Sequence, residues 1–283
     1  MERLVSAAEV RSATGEARRE GKTIALVPTM GALHDGHLSL VRAACERADY
    51  VAVSVFVNPT QFGPGEDFEA YPRDMDGDME LLRAEGVDLV FTPSAGAMYA
   101  PDAQVTVDPG PLGQVFEGAA RPTHFRGVCT VVTKLFAIAQ PDLAYFGEKD
   151  YQQLAIVRLM VRDLDLPVRI VGCPIVREPD GLAMSSRNVY LSAEERRAAT
   201  VLYRALCEAR DIASAREADA EIIASEMAST VGTEPLVELD YAAVIDPETF
   251  RPLDLFGAKP ARALIAARVG RTRLIDNIAL EVG

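Results

Sequence analysis

Short apolar runs rich in β-branched residues alternate with longer stretches whose apolar positions recur at helical spacing. The spacing predicts helices over 6–20, 37–48, 74–86, 124–139 and 150–163. Between them, TIALVP (23–28), YVAVSVFV (50–57), DLVF (88–91), LAYF (143–146) and VRIVG (168–172) read as buried strands. Strands alternating with helices of this length imply parallel pairing, right-handed crossovers and helices on both faces of the sheet. After about residue 176 the pattern changes. A polar stretch leads into helical spacing over 193–213 and 217–230, then two apolar runs, 262–269 and 272–280, flank Gly270 and Arg271 like a hairpin. The expected architecture is α/β: a doubly wound parallel sheet over 1–176 and a smaller α+β domain over 177–283.

Polar residues then fall in a telling place. In a doubly wound sheet, ligands bind outside the carboxyl ends of the strands. Three expected strands run straight into polar, glycine-rich or proline-rich segments: TMGALHDGH (29–37), NPTQFG (58–63) and GEKD (147–150). Together they place His34, His37, Asn58, Gln61, Lys149 and Asp150 on one rim. His34 and His37 stand at a helix start, where free N–H groups and the dipole favour anions, so their imidazoles suit phosphate oxygens. A helix cap with incidental histidines is the plain alternative. Asn58 and Gln61 can read a hydroxyl or carboxylate, or simply build an Asn-Pro turn. Lys149 is a phosphate contact or a surface ion pair, and Gln153 lies one helical turn beyond it.

Met184-Ser185-Ser186-Arg187 closes a loop whose hydroxyls and guanidinium suit phosphate, although a solvated connector would look similar. Asp74, Asp76 and Asp78 begin a helix, where carboxylates complement the dipole; one of them could hold Mg²⁺. His124 lies in RPTHFRG, either over the cleft or capping the next helix.

Composition narrows the class. The chain has 283 residues, enough to bury a large core, with 49% hydrophobic and 25% charged residues, as in an ordinary globular protein. A net charge of −13 argues against a large nucleic-acid footprint but not against an anionic small substrate met by local cations. Cys45, Cys129, Cys173 and Cys207 form no CxxC pair and read as reduced, buried thiols. Neither a secretory leader nor a bilayer-length apolar run is apparent, so the expected location is the cytoplasm, with no membrane partner.

PTMGALHDGH (28–37), SVFVNPTQFG (54–63), RPTHFRGV (121–128), FGEKDYQQL (146–154) and VREPDGLAMSSRN (176–188), ending in TRLIDNIAL (272–280), resemble the pantothenate synthetase (pantoate–β-alanine ligase) family. The motifs occur in the same order over nearly the whole chain. The resemblance implies a Rossmann-like nucleotidylyl transferase domain with a smaller C-terminal domain, in a homodimer. It implies attack of pantoate on ATP to give a pantoyl adenylate and pyrophosphate, then attack of β-alanine to give pantothenate and AMP, with Mg²⁺ accompanying ATP.

It also implies ATP contacts from Met30, Gly31, Ala32, Leu33, His34, Asp35, Gly36 and His37. Further ATP contacts come from Gly147, Glu148, Lys149 and Asp150, and from Val176, Met184, Ser185, Ser186 and Arg187. His37 matches the proton donor and His34 its phosphate-binding companion; Lys149 and Arg187 complete the catalytic set. Gln61 and Gln153 match positions that hold pantoate, with Asn58 and His124 beside them as substrate-binding candidates. Asp78 aligns with an acidic residue near the metal, Gly77 stands where some members carry a second acid, and Thr60 replaces a common methionine. The adenylate is labile to water, and 177–188 is the expected closing loop. A class I aminoacyl-tRNA synthetase fragment and a non-catalytic nucleotide sensor are the competing readings; the acidic charge weighs against the first.

Overall fold

The computed structural model describes residues 1–214, 219–253 and 260–280. They form two compact units, one of residues 1–148 with 152–174, the other of residues 149–151 with 175–283. The sequence pattern predicts a single boundary at 176/177; the chain instead crosses between the units at 148/149, 151/152 and 174/175.

The first unit holds a six-stranded parallel sheet built from β1 (Glu2–Leu4), β2 (Ile24–Thr29), β3 (Tyr50–Val55), β4 (Leu89–Phe91), β5 (Leu143–Gly147) and β6 (Arg169–Cys173). Its order is β1-β4-β3-β2-β5-β6. Alternate residues of each strand enter opposite cores. Leu26 and Ala52 belong to one apolar cluster with Phe136 and Leu135; Ala25, Val27, Val51 and Val53 belong to another with Val41 and Leu82. Burial on both faces is why these strands read as unbroken apolar runs. Helix α1 (Ala7–Arg19) lines the first cluster, and α2 (Asp35–Cys45) and α3 (Met75–Ala84) line the second. The single turns α4 (Ala95–Met98) and α5 (Glu117–Ala120) follow β4. The longer α6 (His124–Ala139) and α7 (Tyr151–Asp163) return to the first cluster. Ser6 and Glu9 close a capping box on α1, which fixes its start.

β2 pairs with β3 along its whole length, Ile24↔Tyr50 to Thr29↔Val55. Its ladder with β5 covers only Ala25↔Leu143 and Leu26↔Ala144. Successive strands leave β2 in opposite directions here, which makes the β2/β5 junction the topological switch point, the place beyond the strand ends where sheets of this kind take ligands.

In the second unit α8 (Ala193–Ala198), α9 (Val201–Ser214) and α10 (Ala220–Gly232) are followed by an antiparallel sheet of β7 (Val237–Ile245), β8 (Ala261–Val269) and β9 (Thr272–Leu280). The expected hairpin is β8–β9. The single helix expected over 193–213 is two helices, broken where the Thr200 hydroxyl bonds back to the Arg197 carbonyl at 2.7 Å. The first two residues of the helix expected over 217–230 lie outside the described residues. β7 carries Glu238 and Asp240 between its apolar residues. Pairing with β8 imposes the strand, and a register shift at Leu239/Tyr241 turns Asp240 toward Arg273, 2.5 Å away. All four cysteines are free; Cys129 and Cys173 are buried as expected, whereas Cys207 is half-buried and Cys45 exposed.

Candidate active site

The turn after β2 is built around a buried carboxylate. Gly31 and Ala32 both have positive φ, +85° and +50°. Asp78, from the first turn of α3, accepts from Ala32 N at 3.0 Å and Leu33 N at 2.7 Å. A side chain at Gly31 would lie 2.9 Å from both Asp78 and Val55, so glycine is required sterically as well as conformationally. Thr29 joins in, accepting from Gly31 N and donating to the Ser54 carbonyl at 2.7 Å.

This turn delivers His34 to the N-cap of α2, where its Nδ1 accepts from Gly36 N at 3.1 Å. An Nδ1 that accepts from an amide cannot carry the proton, so the neutral ring presents Nε2–H as a donor. The His37 ring sits 4.1 Å from it, centroid to centroid, tilted by 40°. Two imidazoles thus cluster at the positive end of a helix, an arrangement suited to an anion.

A 3-10 turn, Pro59–Gln61, follows β3 and is capped by the Asn58 side chain. Asn58 is 1% exposed. Its Oδ1 accepts from Thr60 N, Thr60 Oγ1 and the Tyr99 hydroxyl, the last at 2.8 Å. Its Nδ2 donates to Gly127 O and Gln61 Oε1, both at 3.2 Å. That corrects the expectation of Asn58 as a substrate reader: its amide is committed within the protein and orients Gln61. Burial pushes the Tyr99 phenol up, with its two hydrogen bonds opposing, so it stays a neutral donor to Asn58. Gln61 Nε2 approaches Met30 Sδ at 3.1 Å, which joins this turn to the one carrying the imidazoles.

His124, expected at the substrate, has a similar supporting task. Its Nδ1 lies 2.9 Å from the Gln61 carbonyl, which can only accept, so that nitrogen carries the proton. Arg121 also donates to the Gln61 carbonyl and makes a close ion pair with Glu66. Burial alone would raise the Glu66 carboxyl, but Arg121's hydrogen bond and charge hold it below the ordinary range. RPTHFRG therefore fastens Gln61 from one side while Asn58 holds it from the other.

Gln153 is half-buried near the start of α7. Its neighbour Gln152 is 4% exposed and bonds Leu112 O, Val115 O and Glu117 N, a purely internal role. Gly147 ends β5, next to β2 in the sheet, and Glu148 follows it.

Asp78 is 3% exposed and both its oxygens are engaged by amides, so it does not fit a metal ligand and is corrected to an anchor of the 30–33 turn. Burial raises its carboxyl and the two amides oppose that. Among the described residues no three His, Cys, Asp or Glu side chains group to hold an ion. With both oxygens taken by amides, Asp78 is not placed to hold Mg²⁺.

The remaining expected residues lie in the second unit: Lys149, Asp150, Val176, Met184, Ser185, Ser186 and Arg187. Lys149 Nζ is 3.7 Å from Asp150. Residues 176–184 form a tight turn, with Met184 N on Val176 O at 3.0 Å and Glu178 N on Leu182 O at 2.8 Å. Ser185 caps the 3-10 turn Ser186–Tyr190 by accepting from Arg187 N at 3.3 Å. The closing loop expected over 177–188 is tied down at its first half. Arg177 pairs with buried Asp276 at 2.6 and 3.0 Å and lies 4.1 Å over the Tyr203 ring; Asp180 pairs with Arg196 at 2.7 and 3.0 Å. Tyr99, Arg121 and Asp276 carry no local sequence signal for these roles; only tertiary contact reveals them.

A family model described as pantoate-beta-alanine ligase matches residues 3–279. Pantothenate synthetase of Rubrobacter xylanophilus is 57% identical over 284 residues, 98% of each chain. The crystal structure of pantothenate synthetase from Thermus thermophilus superposes with a TM-score of 0.93 at 48% identity, over 98% of this chain and 99% of that one. The pantoate-beta-alanine ligase of Francisella tularensis, solved with Beta-gamma ATP and β-alanine, gives a TM-score of 0.82 at 33% identity, over 100% of this chain and 99% of that one. With the imidazole pair and the braced Gln61 in a chain matched end to end, this protein belongs to the pantoate–β-alanine ligase family.

Proposed function

We propose that the chain condenses pantoate with β-alanine, driven by ATP, through a pantoyl adenylate. A pantoate carboxylate oxygen bonds to the α-phosphorus as the bond to the β-phosphate bridging oxygen breaks, releasing pyrophosphate. The β-alanine nitrogen then bonds to the acyl carbon, the bond to AMP breaks, and the amine gives up a proton. The observation that carries this reading is the His34–His37 pair at the α2 N-terminus, joined through Met30 to Gln61.

Two anions must meet, so fixed donors do most of the work. His34 offers Nε2–H to phosphate, and His37 donates where charge develops on the departing pyrophosphate. Gln61 spends its carbonyl on Asn58 and offers N–H to pantoate's oxygens, so an analogue lacking them leaves a buried amide unpaired. Gln153 is assigned to pantoate as well. The turn 30–37, with Gly147 and Glu148, is assigned to ATP; so, from the resemblance, are Lys149, Asp150, Val176, Met184, Ser185, Ser186 and Arg187. Lys149 and Arg187 contribute the cations. The same resemblance supports a homodimer in the cytoplasm, and the charge of −13 supports small-molecule rather than nucleic-acid partners. No helix among the described residues is long and apolar enough to cross a membrane.

The test is AMP release from purified protein given ATP, Mg²⁺, pantoate and β-alanine. AMP that requires both acids supports the ligase; ATP binding without turnover would establish a sensor instead.

A further inference from the structure

Two adjacent polar residues interrupt β9. Asp276 is 4% exposed and Asn277 is 2% exposed, in a strand whose other core positions include Leu274 and Leu280. Successive side chains of a strand point to opposite faces, so the pair reaches to both sides of the small sheet. Asp276 takes Arg177, as described above. Asn277 faces Arg262 and Lys149: its Oδ1 accepts from Arg262 Nη1, and its Nδ2 donates to the Lys149 carbonyl at 3.0 Å. An arginine only donates and a carbonyl only accepts, so the partners fix which end of the amide points where. The Arg262 guanidinium also lies 3.8 Å over the Tyr151 ring, which stacks on Phe250. Residues 149–151 are therefore gripped twice, once by main chain and once by ring, and all partners belong to the second unit.

A buried amide is a costly way to fill a strand position that Leu or Val would occupy without polar debt. What it supplies is a directed bond to one carbonyl, that of the lysine assigned to the triphosphate. We propose that Asn277 is a positioning residue for Lys149: it sets the main chain so that the ammonium is presented to ATP phosphate oxygens. This rests on the reading of Lys149 as a phosphate ligand. Small displacements of a charge-bearing group are expensive in catalysis, which makes the bond's effect larger than its own strength.

Asn277→Asp inverts the contact and adds a charge, so it is paired with Asn277→Leu, which removes the contact and adds no charge. Asn277→Asp keeps an acceptor for Arg262 and replaces the donor to Lys149 by an oxygen that repels the carbonyl. The KM for ATP is expected to rise about tenfold while the KM values for pantoate and β-alanine stay within about twofold. In a Lys149→Ala background Asn277→Leu, which introduces no charge, is expected to add nothing, because both act through one ammonium. Should Asn277→Asp fail to fold, Asn277→Leu alone is read. If Lys149→Ala leaves the KM for ATP unchanged, the phosphate reading fails and the positioning role falls with it. If Lys149→Ala raises that KM, while the Asn277 variant leaves it alone, raises all three equally or adds its full factor in the double variant, positioning alone is overturned.

Discussion

Replacing His37 with alanine removes one ring of the imidazole pair and leaves the cap at His34 intact. The fold should survive, while single-turnover pyrophosphate release falls by about 10²–10³-fold, the usual cost of removing one fixed donor from developing charge. Rapid-quench measurement checks this, and near-normal release would remove His37 from the chemistry. Glu66 gives a second prediction. Its folded pKa lies below the unfolded value near 4.5, so the native state releases that proton more readily. Its stabilisation is present above about pH 4.5 and is lost as pH falls through the lower folded value. Glu66→Gln should therefore flatten the acid limb of stability against pH, measured by urea unfolding at stepped pH; an unchanged limb would mean that the Arg121 pair contributes nothing. Residue placement was legible in the sequence where type and position coincide, as with His34 at a helix start and Gln61 in the turn after a strand. It was misleading for Asn58, His124 and Asp78, whose polar atoms turn inward, because a motif does not tell a group that meets the ligand from one that holds its neighbour.

Between elements, α6 crosses the Pro59–Gln61 turn at the distance of main-chain contact. A Cβ at Gly127 would lie 2.3 Å from the Thr60 carbonyl oxygen and 2.6 Å from Gln61 N. Neither neighbour is a flexible tip, so Gly127→Ala must push the helix from the turn that carries Gln61. The expected cost is about 1–3 kcal/mol, with a raised KM for pantoate, read by calorimetry and steady-state kinetics. Unchanged values for both would show that the turn is softer than its contacts imply. The long, strongly patterned elements were legible: β2, β3, α2 and α6 read directly from their periodicity. β1 was missed because two of its three residues, Glu2 and Arg3, are charged and exposed, and β7 because the Asp240 within it is paired by arginines from β8 and β9, which the local sequence does not show.

At the scale of the whole chain, α/β followed by α+β was legible because hydrophobic period changes after about residue 176. The threading of 149–151 into the second unit was not, since GEKDY reads as an ordinary strand-to-helix connection. Its importance can be measured. A fragment of residues 175–283 lacks the Lys149 carbonyl that Asn277 bonds and the ring on which Arg262 lies. Made alone it is expected to melt without a cooperative transition and to regain one when mixed with residues 1–174, followed by circular dichroism; cooperative melting of the lone fragment would contradict this. The triple crossing also bears on heredity. A gene rearrangement with one breakpoint after residue 174 would separate the smaller unit from three of its own residues, so gain, loss or exchange of that unit by shuffling requires a second, concerted edit.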